Sequence, residues 1–450
     1  MANSFVGFGF GPIQSALFLY EAFRSGNFSR YVVAEIDREL LQAVQEAGGR
    51  YTVNIARRDR IDRDTVAGVE LFDPREPGDF RRIAAAVAEA HEMCTALPSV
   101  QAYGAGGQIS VVRQLAAGLS ARRPGLPAVL YAAENHNRAA ELLLQQLEPL
   151  AAPEVLQHVQ LLNTVIGKMS GVITDAQTIR RLGLATITPQ VPRAILVEEF
   201  NRILVSKVRL PGFRRGIEVF VEKEQLLPFE EAKLYGHNAI HALIAYLADV
   251  AGYRTMAEAG GDAFIMDTAR GAFLEESGAA LIRRHSGLGD PQFTEPGYRA
   301  YAEDLLRRMV NPYLNDLVER VGRDHVRKLG LEDRLFGTMV IALEQGLEPG
   351  RLALGAAAGV WSLIRRRGGP KEAPPGLSAL PARPEGLTRG ALRGLLFGLW
   401  GESPGRDRHG ERLVELTWQA WARLRWQHRG RGGKPPAGSA EGSGREDPRG

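Results

Sequence analysis

Ser4-Phe5-Val6-Gly7-Phe8-Gly9-Phe10-Gly11-Pro12-Ile13-Gln14-Ser15-Ala16-Leu17-Phe18 opens the chain with an apolar strand, a glycine turn and the start of a helix. Gly9 and Gly11 occupy the first two glycine positions of a dinucleotide fingerprint. There they permit a tight turn and let the backbone approach a pyrophosphate at the helix N-terminus. Pro12 and Ile13 continue the loop into the helix. The third glycine is replaced by Gln14, so close packing of helix on strand must be managed by another residue. A second strand, Tyr31-Val32-Val33-Ala34-Glu35-Ile36-Asp37, ends in two acids. Glu35 follows Gly9 at about the separation where an acid meets the adenosine ribose hydroxyls, and Asp37 stands beside it. An acid there disfavours a 2′-phosphate, so the expected cofactor is NAD.

Working outward, short β-rich runs alternate with helical patterns up to about residue 205. Ala128–Ala133, Val155–Met169 and Ala194–Val197 read as further strands. That alternation predicts a parallel sheet with helices on both faces. Helical periodicity dominates from about 222 to 365, with helices expected over 227–250, 269–285, 296–310 and 312–328. The fold class expected is α/β: an N-terminal Rossmann-type parallel sheet domain (1–205) followed by a mainly α-helical C-terminal domain (206–428). A Pro/Gly-rich linker is expected at about 368–385, helices at 387–400 and 411–427, and a disordered tail at 429–450.

Inside the helical half, Glu230, Lys233, Asn238 and His241 precede and enter a very apolar stretch, Ala242–Val250. At about 100° per residue, Lys233, His241 and Asn238 fall at roughly 0°, 80° and 140° around a helix. Burying such groups costs several kcal/mol, about 2–7 for a polar group, unless they are paired or used. A lysine in a partly apolar pocket has its pKa pushed down and can exchange a proton with an alcohol or ketone. An asparagine amide can stabilise the developing alkoxide. The same spacing would also arise if Lys233 snorkelled to the surface while Asn238 and His241 satisfied backbone or water. His237 and His241 stand four apart, as helical zinc ligands do, but Asn238 occupies the position where a glutamate would follow the first histidine, so no metal is expected.

Composition narrows the class. The chain has 450 residues, 44% of them hydrophobic, a net charge of +4 and a single cysteine, Cys94. A reducing, cytoplasmic setting is expected, without a signal peptide or a membrane span. The basic runs lack aromatic interleaving, so nucleic acid is not an expected partner. The expected ligands are small molecules, and the protein a monomer or small homo-oligomer.

Together these residues resemble the polyol-specific long-chain dehydrogenases. The reduced loop Phe8–Ile13, the Ala133-Glu134-Asn135 motif and the Lys233-x4-Asn238-x2-His241 helix carry the likeness. Glu275–Gly278, Asn311-Pro312-Tyr313-Leu314, Val318–Arg323 and Arg327-Lys328-Leu329 are similar to the branch that uses phosphorylated sugars. The resemblance covers roughly residues 4–365. It implies Lys233 as general acid/base, Asn238 and Asn163 as amides polarising the reacting oxygen, and His241 as a substrate holder. Glu230, or its neighbour Glu231, would relay protons to the lysine. Thr95, Glu134 and Asn135 would stand with the coenzyme, and Arg320, Arg323, Arg327, Lys328 and His237 with the substrate. The implied reaction is NAD-dependent, metal-free interconversion of mannitol 1-phosphate and fructose 6-phosphate. A free polyol, a hexuronate ketose, or a non-catalytic sensor of NAD(H) or sugar phosphate are the alternatives. Two departures from the family pattern lie near the substrate: Gly167-Lys168 where many relatives carry Asp-Arg, and His237 where most are apolar.

Overall fold

The computed structural model describes residues 3–366 and 380–430. Its strands are β1 (Ser4–Phe8), β2 (Arg30–Ala34), β3 (Tyr51–Ala56), β4 (Ile61–Val66), β5 (Val69–Phe72), β6 (Glu92–Thr95), β7 (Ala128–Ala132), β8 (Val159–Val165), β9 (Ser170–Ile173), β10 (Ala194–Glu198), β11 (Leu204–Ser206) and β12 (Val221–Lys223). One sheet has the order β12-β11-β8-β7-β6-β1-β2-β5, with every pair from β8 to β5 parallel. β11 runs antiparallel to β8, and β12 parallel to β11. Alternate residues of β1 feed two cores, as the two-residue period of a strand requires. Val6 and Phe8 pack with Ile83, Leu115 and Leu143 of helices on one face. Phe5 packs with Leu17, Val53 and Ile195 on the other. Burial on both faces explains why these strands read as unbroken apolar runs.

Part of that second face is covered by a smaller sheet, β4-β3-β10-β9, in which only β3 and β10 are parallel. The helical domain supplies the largest core, where Leu243 and Ile244 meet Phe336, Trp361, Leu395 and Trp421. Arg308, on the helix Glu295–Met309, ties the two domains together. Its Nε and Nη2 grip the Glu198 carboxylate at 2.7 and 2.7 Å, and Nη2 also donates to the Gly167 carbonyl.

Several expectations shift. The boundary at 205 falls inside β11, because β12 extends the sheet to Lys223. The second strand stops at Ala34; Glu35 leaves the sheet, and Asp37 caps the helix Arg38–Glu46 by accepting from Leu40 N. The 312–328 region is a turn, Pro312–Leu314, and two short helices, Val318–Gly322 and His325–Lys328. Left-handed backbone at Asn315 (φ 49°) and Asp324 (φ 65°) breaks it, a conformation a helix does not tolerate. Most of the expected linker and nearly all of the expected tail lie outside the described residues. Among those described, no helix is long and apolar enough to cross a membrane.

Candidate active site

The lysine-bearing segment is not a uniform α-helix. An α-helical turn, Leu227–Glu231, passes into a π-helical stretch, Ala232–Asn238, and then into the α-helix Ala239–Ala251. In a π-helix the hydrogen bonds span five residues, so side chains five apart approach the same face. Lys233 and Asn238, well separated on an ideal α-helix, therefore line one cavity. The wider turn frees the Tyr235 carbonyl from the α-helical ladder. Ser277 Oγ donates to it at 2.8 Å and Thr338 Oγ1 at 3.0 Å. Gly236 admits the packing that goes with this, since a Cβ there would stand 2.7 Å from the Tyr298 hydroxyl.

The cavity measures about 510 Å³ and lies between the C-terminal ends of β6, β7 and β8 and the helical domain. Asn135, just past β7, accepts a hydrogen bond from Lys233 Nζ at 3.0 Å. Enclosure by protein pushes the Lys233 pKa down to about 8; the nearby Arg334 adds to this and Glu230 opposes it. Glu230 lines the same cavity, and burial together with the Glu141 charge raises its carboxyl to about 7. Two groups of opposite charge type thus titrate near neutrality side by side, as acid/base chemistry needs. Glu231 is engaged elsewhere, paired with Arg284 at 3.1 Å and His285 at 2.7 Å. Glu230 is accordingly the acid available to the lysine.

At the N-terminal end the glycine loop forms the expected turn. Gly9 takes φ +84°, the left-handed turn that favours glycine, and a Cβ on Gly11 would meet nothing within 4 Å, leaving open space in front of the backbone. The missing third glycine is compensated from the strand: a Cβ on Gly7 would overlap the Gln14 amide at 2.0 Å, so Gly7 provides the room. Glu35 accepts from Phe10 N at 2.6 Å and from Asp37 N at 2.8 Å, locking the glycine loop to the end of β2. Asp37, besides capping its helix, pairs with Arg193 at 2.9 Å, which leaves Glu35 as the acid beside the loop. Glu134 is buried; it accepts from Thr95 Oγ1 at 3.0 Å, Leu97 N at 2.9 Å and the Tyr103 hydroxyl. Thr95 and Glu134 therefore hold the shape of this wall. Asn135 is the member of the motif that reaches the lysine.

Other expected residues stand apart. Asn163 lines a different cavity, accepting from Ala140 N at 2.9 Å and donating to Glu141 at 2.8 Å. Thr164, which points to the opposite face of β8, lines the Lys233 cavity instead, together with Val165 at the end of the strand. His241 faces Asp316, with Nε2 3.4 Å from Oδ2, and Arg320 pairs with that same aspartate at 2.7 Å. Arg320 and Arg323 border a third cavity. Lys328 is buried, donates to the Val321 carbonyl at 2.5 Å, and is pushed down to about 7 by burial, Arg334 and Arg327. Of the expected cations only Arg327 reaches the Lys233 cavity, together with Asp333 and Arg334, which the sequence reading missed. Their only sequence signal was proximity to the Arg327-Lys328-Leu329 motif. His237 is buried on the other side of the lysine, its pKa held well below the usual histidine value by burial. The two departures from the family pattern are neighbours: a Cβ on Gly167 would stand 3.8 Å from His237 Nδ1. Lys168 instead turns inward, donating to the Glu198 and Phe200 carbonyls at 2.5 and 2.8 Å.

Residues 225–363 match the family described as the mannitol dehydrogenase C-terminal domain. A mannitol-1-phosphate 5-dehydrogenase from Shouchella clausii (strain KSM-K16) is 31% identical over 324 residues, 71% of this chain and 78% of that protein. The chain belongs to the mannitol dehydrogenase family. The mannitol dehydrogenase fold is shared over nearly the whole length. A Pseudomonas fluorescens mannitol 2-dehydrogenase, solved with NAD and D-mannitol, superposes with TM-score 0.68 at 17% identity, covering 95% of this chain and 93% of that one. A substrate-free D-sorbitol dehydrogenase gives TM-score 0.72 at 14% identity, covering 95% and 94%. The expectation of a dehydrogenase stands with this mannitol dehydrogenase membership, whose matched segment contains Lys233, Asn238 and Arg327.

Proposed function

We propose that this chain is an NAD-dependent dehydrogenase interconverting a polyol and its ketose, with mannitol 1-phosphate and fructose 6-phosphate as the pair. The observation that carries the chemistry is the Lys233–Asn135 hydrogen bond inside a cavity shared with Glu230 and Asn238. The relative from Shouchella clausii supports the choice of substrate.

The glycine loop Gly9–Ile13 would hold the pyrophosphate and Glu35 the adenosine ribose. Bound NADH supplies the hydride to the ketone carbon. Lys233, as ammonium, donates the proton to the ketone oxygen, and the Asn238 amide stabilises charge on that oxygen as it develops. Asn135 aims the ammonium across the domain boundary. Glu230 restores the proton to the lysine. In the oxidative direction neutral Lys233 takes the alcohol proton. The ammonium and the amide do the polarising, with no metal ion in the scheme.

A free-polyol reading draws on one observation: Arg327 and Arg334, the cations beside Lys233 in this cavity, are each already paired with Asp333. NADH oxidation with fructose 6-phosphate and fructose in parallel decides between them. Turnover restricted to the phosphate ester supports the first reading, and turnover with fructose alone overturns it.

A further inference from the structure

Lys233 has a second opening. A pocket of about 360 Å³ adjoins it on the side away from Glu134 and Asn135, and shares only Lys233 and Val165 with the cavity described above. Its walls come from both domains, from Gly167 and Arg202 on one side to His237 and Arg308 on the other. Lys233 and Val165 are common to both linings, so a group seated in the second pocket lies beside the lysine.

The two spaces differ in charge. The first is lined by as many acids (Glu134, Glu230, Asp333) as bases (Lys233, Arg327, Arg334). The second is lined by Lys233, Arg202, Lys223 and Arg308 against one acid, Asp290. Lys223 pairs with Asp290, and Arg308 is held from behind by Glu198 and Asp304 while stacking over the Phe200 ring at 3.9 Å. Buried His237 contributes no charge near neutral pH, because its pKa lies well below the usual value. Arg202, exposed at the mouth, makes no ion pair or side-chain hydrogen bond among the described residues. A guanidinium without a partner at the open end of a cationic pocket suits a dianionic group, which it can bind through two parallel hydrogen bonds.

We infer that this second pocket seats the phosphate of the sugar, with Arg202 as its principal contact, and that Arg320, Arg323, Arg327 and Lys328 do not perform that role. The inference rests on the phosphate-ester reading of the function.

The test is steady-state reduction of fructose 6-phosphate by the full chain with NADH, for the native protein, Arg202→Ala and Arg202→Lys, with inorganic phosphate as a competing ligand. Loss of one charge-assisted contact should raise KM for fructose 6-phosphate about ten- to hundredfold in Arg202→Ala, with kcat falling much less. Inhibition by inorganic phosphate should weaken in step, and Arg202→Lys should recover part of the loss. NADH binding, followed by its fluorescence, reports whether the variant is folded. Turnover of fructose 6-phosphate with the same KM in native protein and folded Arg202→Ala overturns the pocket assignment alone. A native protein that reduces fructose but not fructose 6-phosphate overturns the phosphate reading, and the pocket assignment with it.

Discussion

Lys233 Nζ and Asn135 Oδ1 lie 3.0 Å apart although 98 residues separate them in sequence, one on the helical domain and the other just past the sheet. The contact positions the ammonium from the sheet side of the cavity. Asn135→Asp would replace a neutral acceptor with a carboxylate, which favours the charged lysine. The Lys233 pKa, about 8 in the native protein, should then rise. In polyol oxidation, which needs the neutral amine, the ascending limb of the pH–rate profile should move to higher pH. An unmoved limb would show that the group titrating there is not Lys233.

Lys233→Ala removes the proposed acid/base. General acid–base catalysis is typically worth about 10²–10⁴ in rate, so turnover should fall by that order. NADH affinity, measured by fluorescence, should stay within a few-fold, since the glycine loop and Glu35 lie elsewhere. Equal loss of turnover and NADH binding would mark the lysine as structural.

Glu230→Gln should have two separable effects. The carboxylate supports the ammonium of Lys233, so its removal lets the lysine pKa fall below about 8, and the oxidative limb shifts to lower pH. Proton resupply should also slow, lowering kcat in ketose reduction. A Glu231→Gln variant should weaken the contacts to Arg284 and His285 and move the pH profile much less, because that carboxylate is engaged by those two residues.

Asn163→Ala separates the family pattern from the geometry. With its amide held by Ala140 N and Glu141, the substitution should cost roughly 1–3 kcal/mol of stability, read from thermal or urea unfolding, and leave kcat within a few-fold. A hundredfold loss of kcat at native stability would restore Asn163 to the reacting oxygen.

The π-helical turn has its own test. Combining Ser277→Ala with Thr338→Val deprives the Tyr235 carbonyl of both donors. An unsatisfied buried acceptor costs about 1–3 kcal/mol, so unfolding should come correspondingly earlier. Activity should fall further than stability alone accounts for, because the turn brings Asn238 beside Lys233.

Much of this was legible in the residues. The glycine loop, the acid after the second strand and the apolar lysine helix are local patterns, and each specifies its element without help from distant parts of the chain. The π-helical stretch was not legible, because sequence periodicity assumes 3.6 residues per turn and the donors that stabilise the bulge sit at 277 and 338. The four-stranded sheet was equally hidden: β3 pairs with β10 across some 140 residues, and neither strand announces its partner. The basic residues at 320–328 are a related case. A basic run predicts charge, while Asp316, Asp324 and Asp333 determine how much of it remains free.

The grip of Arg308 on Glu198 couples the two domains that wall the Lys233 cavity. The two side chains retain only 15% and 3% exposure, and removing either one alone would leave the other charge buried without its partner, at a cost of about 3–5 kcal/mol. The pair thus braces the two domains against each other. Pro98–Gln101 from the sheet domain and Asp333–Arg334 from the helical domain line the same cavity. The body of the enzyme is thereby clamped as one frame around the Lys233 cavity.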